Sequence, residues 1–139
     1  GWCYGDLGIA LAFWHYSQVF QDKIIEQKAI DIFLFNSKRR DLDLNAVIDA
    51  SLCHGTSGIA LIFYRMYINT HIELFLETAQ YWLNQTLVMS KHIDGIVGYK
   101  SNNKDNSINL LTGVSGIGLT LLTMLSGDNS DWDECLLLS

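Results

Sequence analysis

The chain has 139 residues, a formal net charge of −6 and an apolar content of 49%, which together favour one well-packed domain and disfavour disorder. The acidic balance disfavours nucleic-acid binding, because phosphate recognition needs clustered Lys and Arg. A basic cluster at Lys38–Arg40 is followed at once by Asp41 and Asp43, a pattern typical of a solvated loop. We therefore expect no nucleic-acid partner.

The first half of the chain predicts two helical hairpins. One helix is predicted from about Asp6 to Phe20 and a second from about Asp22 to Phe35, because their apolar residues recur at helical spacing. The stretch from Ser37 to Leu52 contains several aspartates and is interpreted as a connection with at most one helical turn. A third helix is predicted from about Ser57 to Tyr67, and a fourth from about His71 to Ser90 carries the longest continuous apolar stripe.

The second half alternates a long loop with one more helix. The polar stretch from Lys91 to Asn109 breaks the helical pattern and predicts a surface loop. A fifth helix is predicted from about Val114 to Leu125, ended by Gly127-Asp128-Asn129. The tail from Trp132 to Leu138 is compatible with either a final helical turn or an extended segment. No segment is convincingly β, so the predicted fold class is all-α.

A glycine motif recurs three times along the chain. The shared pattern Gly-x-x-Gly-Ile-x-Leu begins at Gly5, Gly55 and Gly113, so successive copies lie 50 and 58 residues apart. Periods of this size indicate stacked helical pairs or a closed array. The sequence therefore predicts helical hairpins repeated around an axis, with the glycine-motif loops gathered at one end.

Two copies of the motif carry residues that ligate metals. Cys3 and Cys53 each stand two residues before the first glycine of their copy, and His54 follows Cys53. Two cysteines, one histidine and an open fourth position form one of the known catalytic zinc sites. If the copies are arranged around an axis, the two cysteines occupy equivalent loop positions and can converge. The alternative is that both cysteines are small buried apolar residues.

The sequence gives less evidence for the roles of the other candidate residues than for the three predicted metal ligands. Tyr4 and Asp6 adjoin Cys3 and can support a metal ligand, although Asp6 can equally act on a helix N-terminus alone. Cys135 lies outside the repeat and is interpreted as a packed or partly exposed thiol. The remaining histidines are interpreted as surface or helix-end residues: His15, His71 and His92.

Sequence features also favour a cytoplasmic protein. No apolar run reaches the roughly 18 residues that span a bilayer, and no basic-then-apolar leader is seen. Three cysteines cannot all pair within one chain, which favours metal ligation or burial in a reducing compartment. Because the first motif copy begins almost at once after Gly1, we expect a fragment whose exposed apolar flanks promote self-association.

The motifs resemble those of the lanthipeptide (lantibiotic) cyclases, the LanC-like family, over essentially the whole chain. The segments that carry the resemblance are Trp2-Cys3-Tyr4-Gly5-Asp6-Leu7-Gly8, Cys53-His54-Gly55-Thr56-Ser57-Gly58 and Leu110-Leu111-Thr112-Gly113-Val114-Ser115-Gly116-Ile117. The resemblance implies an α/α toroid whose Zn²⁺ is held by Cys3, Cys53 and His54. It further implies that residues 1–139 form the C-terminal part of a cyclase domain, whose acid and base residues lie upstream.

The resemblance also implies a reaction and its partners. The family joins a peptide cysteine to dehydroalanine or dehydrobutyrine, forming the thioether of lanthionine or methyllanthionine. The expected partners are a dehydrated precursor peptide and a dehydratase protein or domain. Two alternatives stay open: a module that binds zinc and a peptide or thiol without catalysis, and an enzyme that adds glutathione, as eukaryotic relatives suggest.

Overall fold

A computed structural model describes residues 1–127 and 131–139, and these residues form an all-α structure. The helices are α1 (Asp6–Phe20), α2 (Lys23–Asn36), α3 (Thr56–Thr70), α4 (Glu73–Val88) and α5 (Val114–Ser126), followed by a short 3₁₀ turn at Glu134–Leu136. Within the described ranges there is no β-strand, only two isolated bridges, Ile96 with Tyr99 and Ser101 with Asp105. The all-α prediction is confirmed.

The helix boundaries follow from capping residues. Asp22 precedes α2 as its N-cap, because its carboxylate accepts the N–H groups of Ile24 and Ile25 at 3.0 and 3.1 Å. Helix α3 continues to Thr70, beyond the predicted end, and His71 closes it in the left-handed conformation with φ 55°. His71 therefore belongs to the turn before α4, which makes the predicted start of that helix two residues too early.

The core lies between the two hairpins. Helix α1 packs against α2, and α3 packs against α4 and α5. The rings of Phe33, Phe63 and Phe75 meet at centroid distances of 5.8 to 5.9 Å, and all three side chains are buried. Because these residues come from α2, α3 and α4, this aromatic cluster joins the first hairpin to the second.

The face of α1 that is buried is not the face whose apolar spacing predicts the helix. Ile9, Phe13 and Tyr16 recur at helical spacing, but the structure leaves them exposed. The buried face of α1 consists of Leu7, Ala10, Leu11, Trp14 and Ser17. The helix is apolar on both sides, so periodicity found the helix but could not choose the face that packs inward. The expected self-association through apolar flanks remains a prediction.

The two long connections are more buried than predicted. Residues 42–46 form a turn rather than a helix, and the stretch that follows is largely buried: Val47, Asp49, Ala50, Ser51 and Leu52. The predicted surface loop at Lys91–Asn109 sends Tyr99 inward, where it packs in a small cluster with Ala50 and Ile117. The middle of this loop is therefore anchored to the rest of the structure through the Tyr99 side chain.

The tail ends in a 3₁₀ turn, which resolves the open choice between helical and extended. Asp133 is fully buried and binds the guanidinium of Arg65 through two hydrogen bonds of 3.0 and 2.7 Å. The indole N–H of Trp2 donates to the Leu136 carbonyl at 2.9 Å, so the tail also contacts the start of the chain. Gly127 closes α5 with φ 65°, whereas Asp128 and Asn129 of the predicted stop signal lie outside the described residues.

Helix length also bears on membrane insertion. Among the described residues, no helix combines the length and apolar character needed to cross a bilayer.

The second glycine of each motif copy is required by a close backbone approach. A Cβ atom at Gly8, Gly58 or Gly116 would lie 2.3, 1.8 or 2.1 Å from a carbonyl oxygen. In each copy that oxygen belongs to the residue six positions earlier: Trp2, Leu52 and Leu110. The first turn of each motif helix thus rests directly on the incoming backbone, which explains why this glycine recurs.

Helix α5 offers a matched test of this constraint. Gly116→Ala should lower the free energy of unfolding by about 2 kcal/mol, because the new methyl group would overlap the Leu110 carbonyl. Gly118 lies two residues later, and a Cβ atom there would have no neighbouring atom within 4 Å, so Gly118→Ala should raise the free energy of unfolding by about 0.5–1 kcal/mol through helix propensity. Urea denaturation followed by circular dichroism measures both changes, and equal effects at the two sites would contradict the packing argument.

The buried ion pair makes a second prediction about stability. Asp133→Asn should destabilise the protein by about 3 kcal/mol, because the buried guanidinium of Arg65 would lose its hydrogen-bonded carboxylate. The control is Glu26→Gln in the exposed pair with Lys23, which should leave the thermal midpoint unchanged. A midpoint for Asp133→Asn that matches the control would show that the pair does not hold the tail.

Candidate metal centre

The candidate centre is built on the motif loops, which are joined by backbone hydrogen bonds. The Trp2 N–H donates to the Cys53 carbonyl at 3.0 Å, and the Cys53 N–H donates to the Leu111 carbonyl at 2.9 Å. The loop of the second copy therefore lies between the loops of the first and third. This arrangement brings the neighbourhoods of Cys3 and Cys53 together although the two residues are 50 positions apart.

The side chains of Cys3, Cys53 and His54 converge. Their potential ligand atoms, two thiol sulfurs and one imidazole nitrogen, all lie within 4.8 Å of one another. A tetrahedral zinc with Zn–S bonds of about 2.3 Å separates two sulfurs by roughly 3.8 Å. The upper limit of 4.8 Å between the three atoms is compatible with that spacing, so these residues fit a zinc ion. Their role as metal ligands remains a prediction.

A tight turn lets the adjacent residues Cys53 and His54 face the same point. The turn closes through the Gly55 N–H, which donates to the Ser51 carbonyl at 3.0 Å, and the Thr56 N–H, which donates to the Asp49 carbonyl at 3.1 Å. A Cβ atom at Gly55 would lie 2.2 Å from the Ser51 nitrogen, so only glycine fits here. The turn then leads directly into α3.

The electrostatics of the centre favour a bound cation. Burial, followed by the hydrogen bond and the charge of Cys3, raises the pKa of Cys53 to about 12. Two thiolates this close repel each other, and a partly buried site solvates them poorly. A soft divalent cation removes both penalties and displaces the thiol protons as it binds. The donor set is therefore chemically suited to zinc.

The two predicted supporting residues have different surroundings. Tyr4 is largely exposed, and its ring lies nearly parallel to the His54 imidazole with the centroids 6.5 Å apart. Asp6 instead pairs with Arg39, whose Nη1 lies 2.8 Å from its Oδ2. Arg39 Nη1 also donates to the side-chain oxygen of Asn36. The structure thus places Tyr4 beside His54 and gives Asp6 a partner in the segment that follows α2.

Asp49 is a residue near the centre that sequence reasoning missed. Its carboxylate is buried, and its Oδ2 lies 3.6 Å from Nε2 of His54. Asp49 is one of several aspartates in the connection between α2 and α3, and no motif spacing distinguishes it from Asp41 or Asp43. Its only distinguishing feature in the sequence is that it lies four residues before Cys53, and that spacing is not a known metal-site motif.

Two cavities meet at Tyr4 and Gly5 beside the candidate centre. One, of about 410 Å³, is mostly apolar and runs between α1 and the tail. It is lined by Trp2, Cys3, Ile9, Ala12, His15 and Leu137, among others. The other, of about 210 Å³, lies between the hairpins and includes Asp6, Arg39 and Trp82 in its lining. The first cavity gives the Cys3 thiol an open approach from solvent.

The remaining cysteine and histidines occupy other positions. Cys135 is exposed in the tail, where its thiol lies 3.6 Å from the Trp132 carbonyl. His15 contacts the Leu137 carbonyl at 2.9 Å, and His92 contacts the side chain of Asn103 at 3.1 Å. In the described part of the chain, Cys3, Cys53 and His54 form the one group of three or more such side chains whose atoms lie close enough to hold a metal ion.

Comparison with known protein families agrees with the resemblance seen in the motifs. The sequence model of the family described as lanthionine synthetase C-like protein matches residues 1–137. A comparison with curated proteins found no match. Since the family match spans nearly all of the 139 residues, the chain belongs to the lanthionine synthetase C-like family.

Proposed function

We propose that this chain is the zinc-binding part of an enzyme that forms thioether rings in peptides. The observation that carries the proposal is the convergence of Cys3, Cys53 and His54 to within 4.8 Å, in a chain that belongs to the lanthionine synthetase C-like family. The reaction class is the addition of a peptide cysteine to dehydroalanine or dehydrobutyrine, which gives lanthionine or methyllanthionine.

The donor set suits the activation of a thiol better than the activation of water. A Zn²⁺ ion bound by these residues would hold a substrate thiol as its thiolate at neutral pH. Because Cys3 and Cys53 already balance the charge of the ion, the substrate sulfur would keep its electron density for nucleophilic attack. A site made of histidines alone would leave the metal a stronger Lewis acid, as in enzymes that activate water.

The addition balances without an oxidant or reductant. The cysteine sulfur forms a bond to the β-carbon of the dehydroamino acid, and the carbon–carbon π bond breaks. The electron pair of that bond takes up a proton at the α-carbon, so the thiol S–H adds overall across the double bond. The group that delivers this proton is not assigned to any residue of this chain.

The apolar cavity of about 410 Å³ supports a peptide substrate. It opens beside Cys3, and its walls include Ile9 and Leu137, which can pack against the side chains that flank a reacting cysteine. The exposed ring of Tyr4 lies where this cavity meets the one between the hairpins. We propose a dehydrated precursor peptide as the partner, supplied by a dehydratase protein or domain in the cytoplasm.

We further propose that the hairpins belong to an α/α toroid with its motif loops at one end. The hydrogen bonds from Trp2 to Cys53 and from Cys53 to Leu111 support this arrangement, because they place equivalent loops side by side. The glycine contacts that recur in all three copies also support it. In this proposal the chain forms the C-terminal part of the cyclase domain.

Metal content provides the first test of the proposed function. The protein purified without chelator should contain about one zinc per chain, and Cys53→Ala should lose it, because a thiolate is one of three protein ligands. Cys135→Ala is the matched control, since this exposed thiol lies outside the metal-binding group, and it should retain the metal. Elemental analysis measures both. Folded wild-type protein without zinc would contradict the metal assignment.

Loss of free thiols provides the test of catalysis. The full-length protein, incubated with a peptide that contains dehydroalanine and cysteine, should reduce the number of thiols that a maleimide can alkylate, as counted by mass spectrometry. Prior removal of zinc should abolish this loss. Stoichiometric zinc with an unchanged number of free thiols would favour the alternative that the protein binds zinc and a peptide without catalysis. In a parallel reaction that contains glutathione, an increase of the peptide mass by one glutathione would favour glutathione addition.

A further inference from the structure

Asp49 is a buried carboxylate whose hydrogen bonds link two parts of the chain. Only 1% of its surface is exposed. Its Oδ1 accepts the Ser51 N–H at 2.9 Å, within the turn that leads to Cys53. Its Oδ2 accepts the Asn102 N–H at 2.6 Å, from the middle of the long loop at Lys91–Asn109. The carboxylate is therefore held in place from both sides.

The same oxygen faces the candidate metal ligand His54. The distance from Asp49 Oδ2 to His54 Nε2 is 3.6 Å, slightly longer than a hydrogen bond, and both side chains are largely buried. A carboxylate attracts the ring nitrogen that carries a proton, so it favours the imidazole tautomer with hydrogen on Nε2. That tautomer leaves the lone pair on Nδ1 free for a metal.

We propose that Asp49 is a positioning residue that keeps the proton on Nε2 of His54 and so directs Nδ1 toward the ion shared with Cys3 and Cys53. This inference rests on the proposed zinc site. Histidine ligands commonly donate their second N–H to a carboxylate, which fixes the ring orientation and raises the basicity of the ligand. A contraction of the 3.6 Å gap by several tenths of an ångström would complete that hydrogen bond.

A purely structural role for Asp49 is the competing explanation. The loop is fastened not only through Asn102 but also by Asn103, whose Nδ2 donates to the Ile48 carbonyl at 2.5 Å. Both asparagines adopt the left-handed conformation, with φ of 50° and 58°. If Asp49 served only to anchor this loop, loosening the neighbouring anchor would affect the metal as strongly as changing Asp49. The two roles can therefore be separated by experiment.

The test compares metal affinity in two variants of the same region. Asp49→Asn keeps the size of the side chain but removes the charge that favours hydrogen on Nε2, and it should weaken Zn²⁺ binding about 10–100-fold. Asn103→Ala removes the contact of the loop with Ile48 and leaves Asp49 and His54 in place, so its affinity should stay within about twofold of wild type. Competition with a chromophoric chelator measures both affinities.

A spectroscopic measurement on the wild-type protein does not depend on any variant. ¹⁵N NMR of the histidine ring in the Cd²⁺- or Zn²⁺-loaded protein should show His54 protonated at Nε2 and metal-bound at Nδ1. Coordination through Nε2 would overturn the proposal even if Asp49→Asn failed to fold. Equal losses of affinity in Asp49→Asn and Asn103→Ala, or no loss in either, would also overturn it.

The failure of this inference can be told apart from failure of the zinc site itself. Wild-type protein that binds no zinc would remove the proposed function and, with it, the role of Asp49. Wild-type protein that binds zinc, loses it in Cys53→Ala and keeps full affinity in Asp49→Asn would remove the positioning role alone.

Discussion

The close approach of each motif helix to the backbone that precedes it is the constraint on which the candidate centre depends. At Gly58 a side chain would meet the Leu52 carbonyl at 1.8 Å, and the glycines of the other two copies face equivalent carbonyls. Because the helix rests on the incoming chain, the short loop between them has little freedom. Cys53 and His54 occupy that loop, and hydrogen bonds to its neighbours fix its position relative to Cys3.

Packing and chemistry are coupled in this arrangement. The aromatic cluster of Phe33, Phe63 and Phe75 joins the hairpins and makes them a rigid support for the loops. The loops then hold two thiols close together, and burial, together with the hydrogen bond and charge of Cys3, raises the pKa of Cys53. The same loops that depend on the glycine contacts therefore carry the residues of the candidate metal centre.

Sequence reasoning succeeded where a local pattern has one physical cause. Helical spacing identified the five α-helices of the described residues, and the repeated glycine motif identified the loops that carry Cys3, Cys53 and His54. Prediction from the sequence failed where a side chain could pack against, or pair with, more than one segment of the chain. Ile9 and Phe13 mark α1 as a helix but lie on its exposed side, and Asp6 pairs with Arg39, which lies just beyond the end of α2. Tyr99, in a polar loop, is buried against Ala50 and Ile117.

The amino-acid sequence by itself determined the helices, the glycine turns and the three candidate ligands, because these depend on backbone sterics and on side-chain chemistry at short range. Only the tertiary structure decided which face of α1 packs inward, that Asp133 neutralises Arg65, and that Asp49 lies beside His54. Those outcomes depend on contacts between segments far apart in the chain. The same aspartate type occurs at several positions between α2 and α3, and folding alone placed one of them, buried, next to the candidate metal centre.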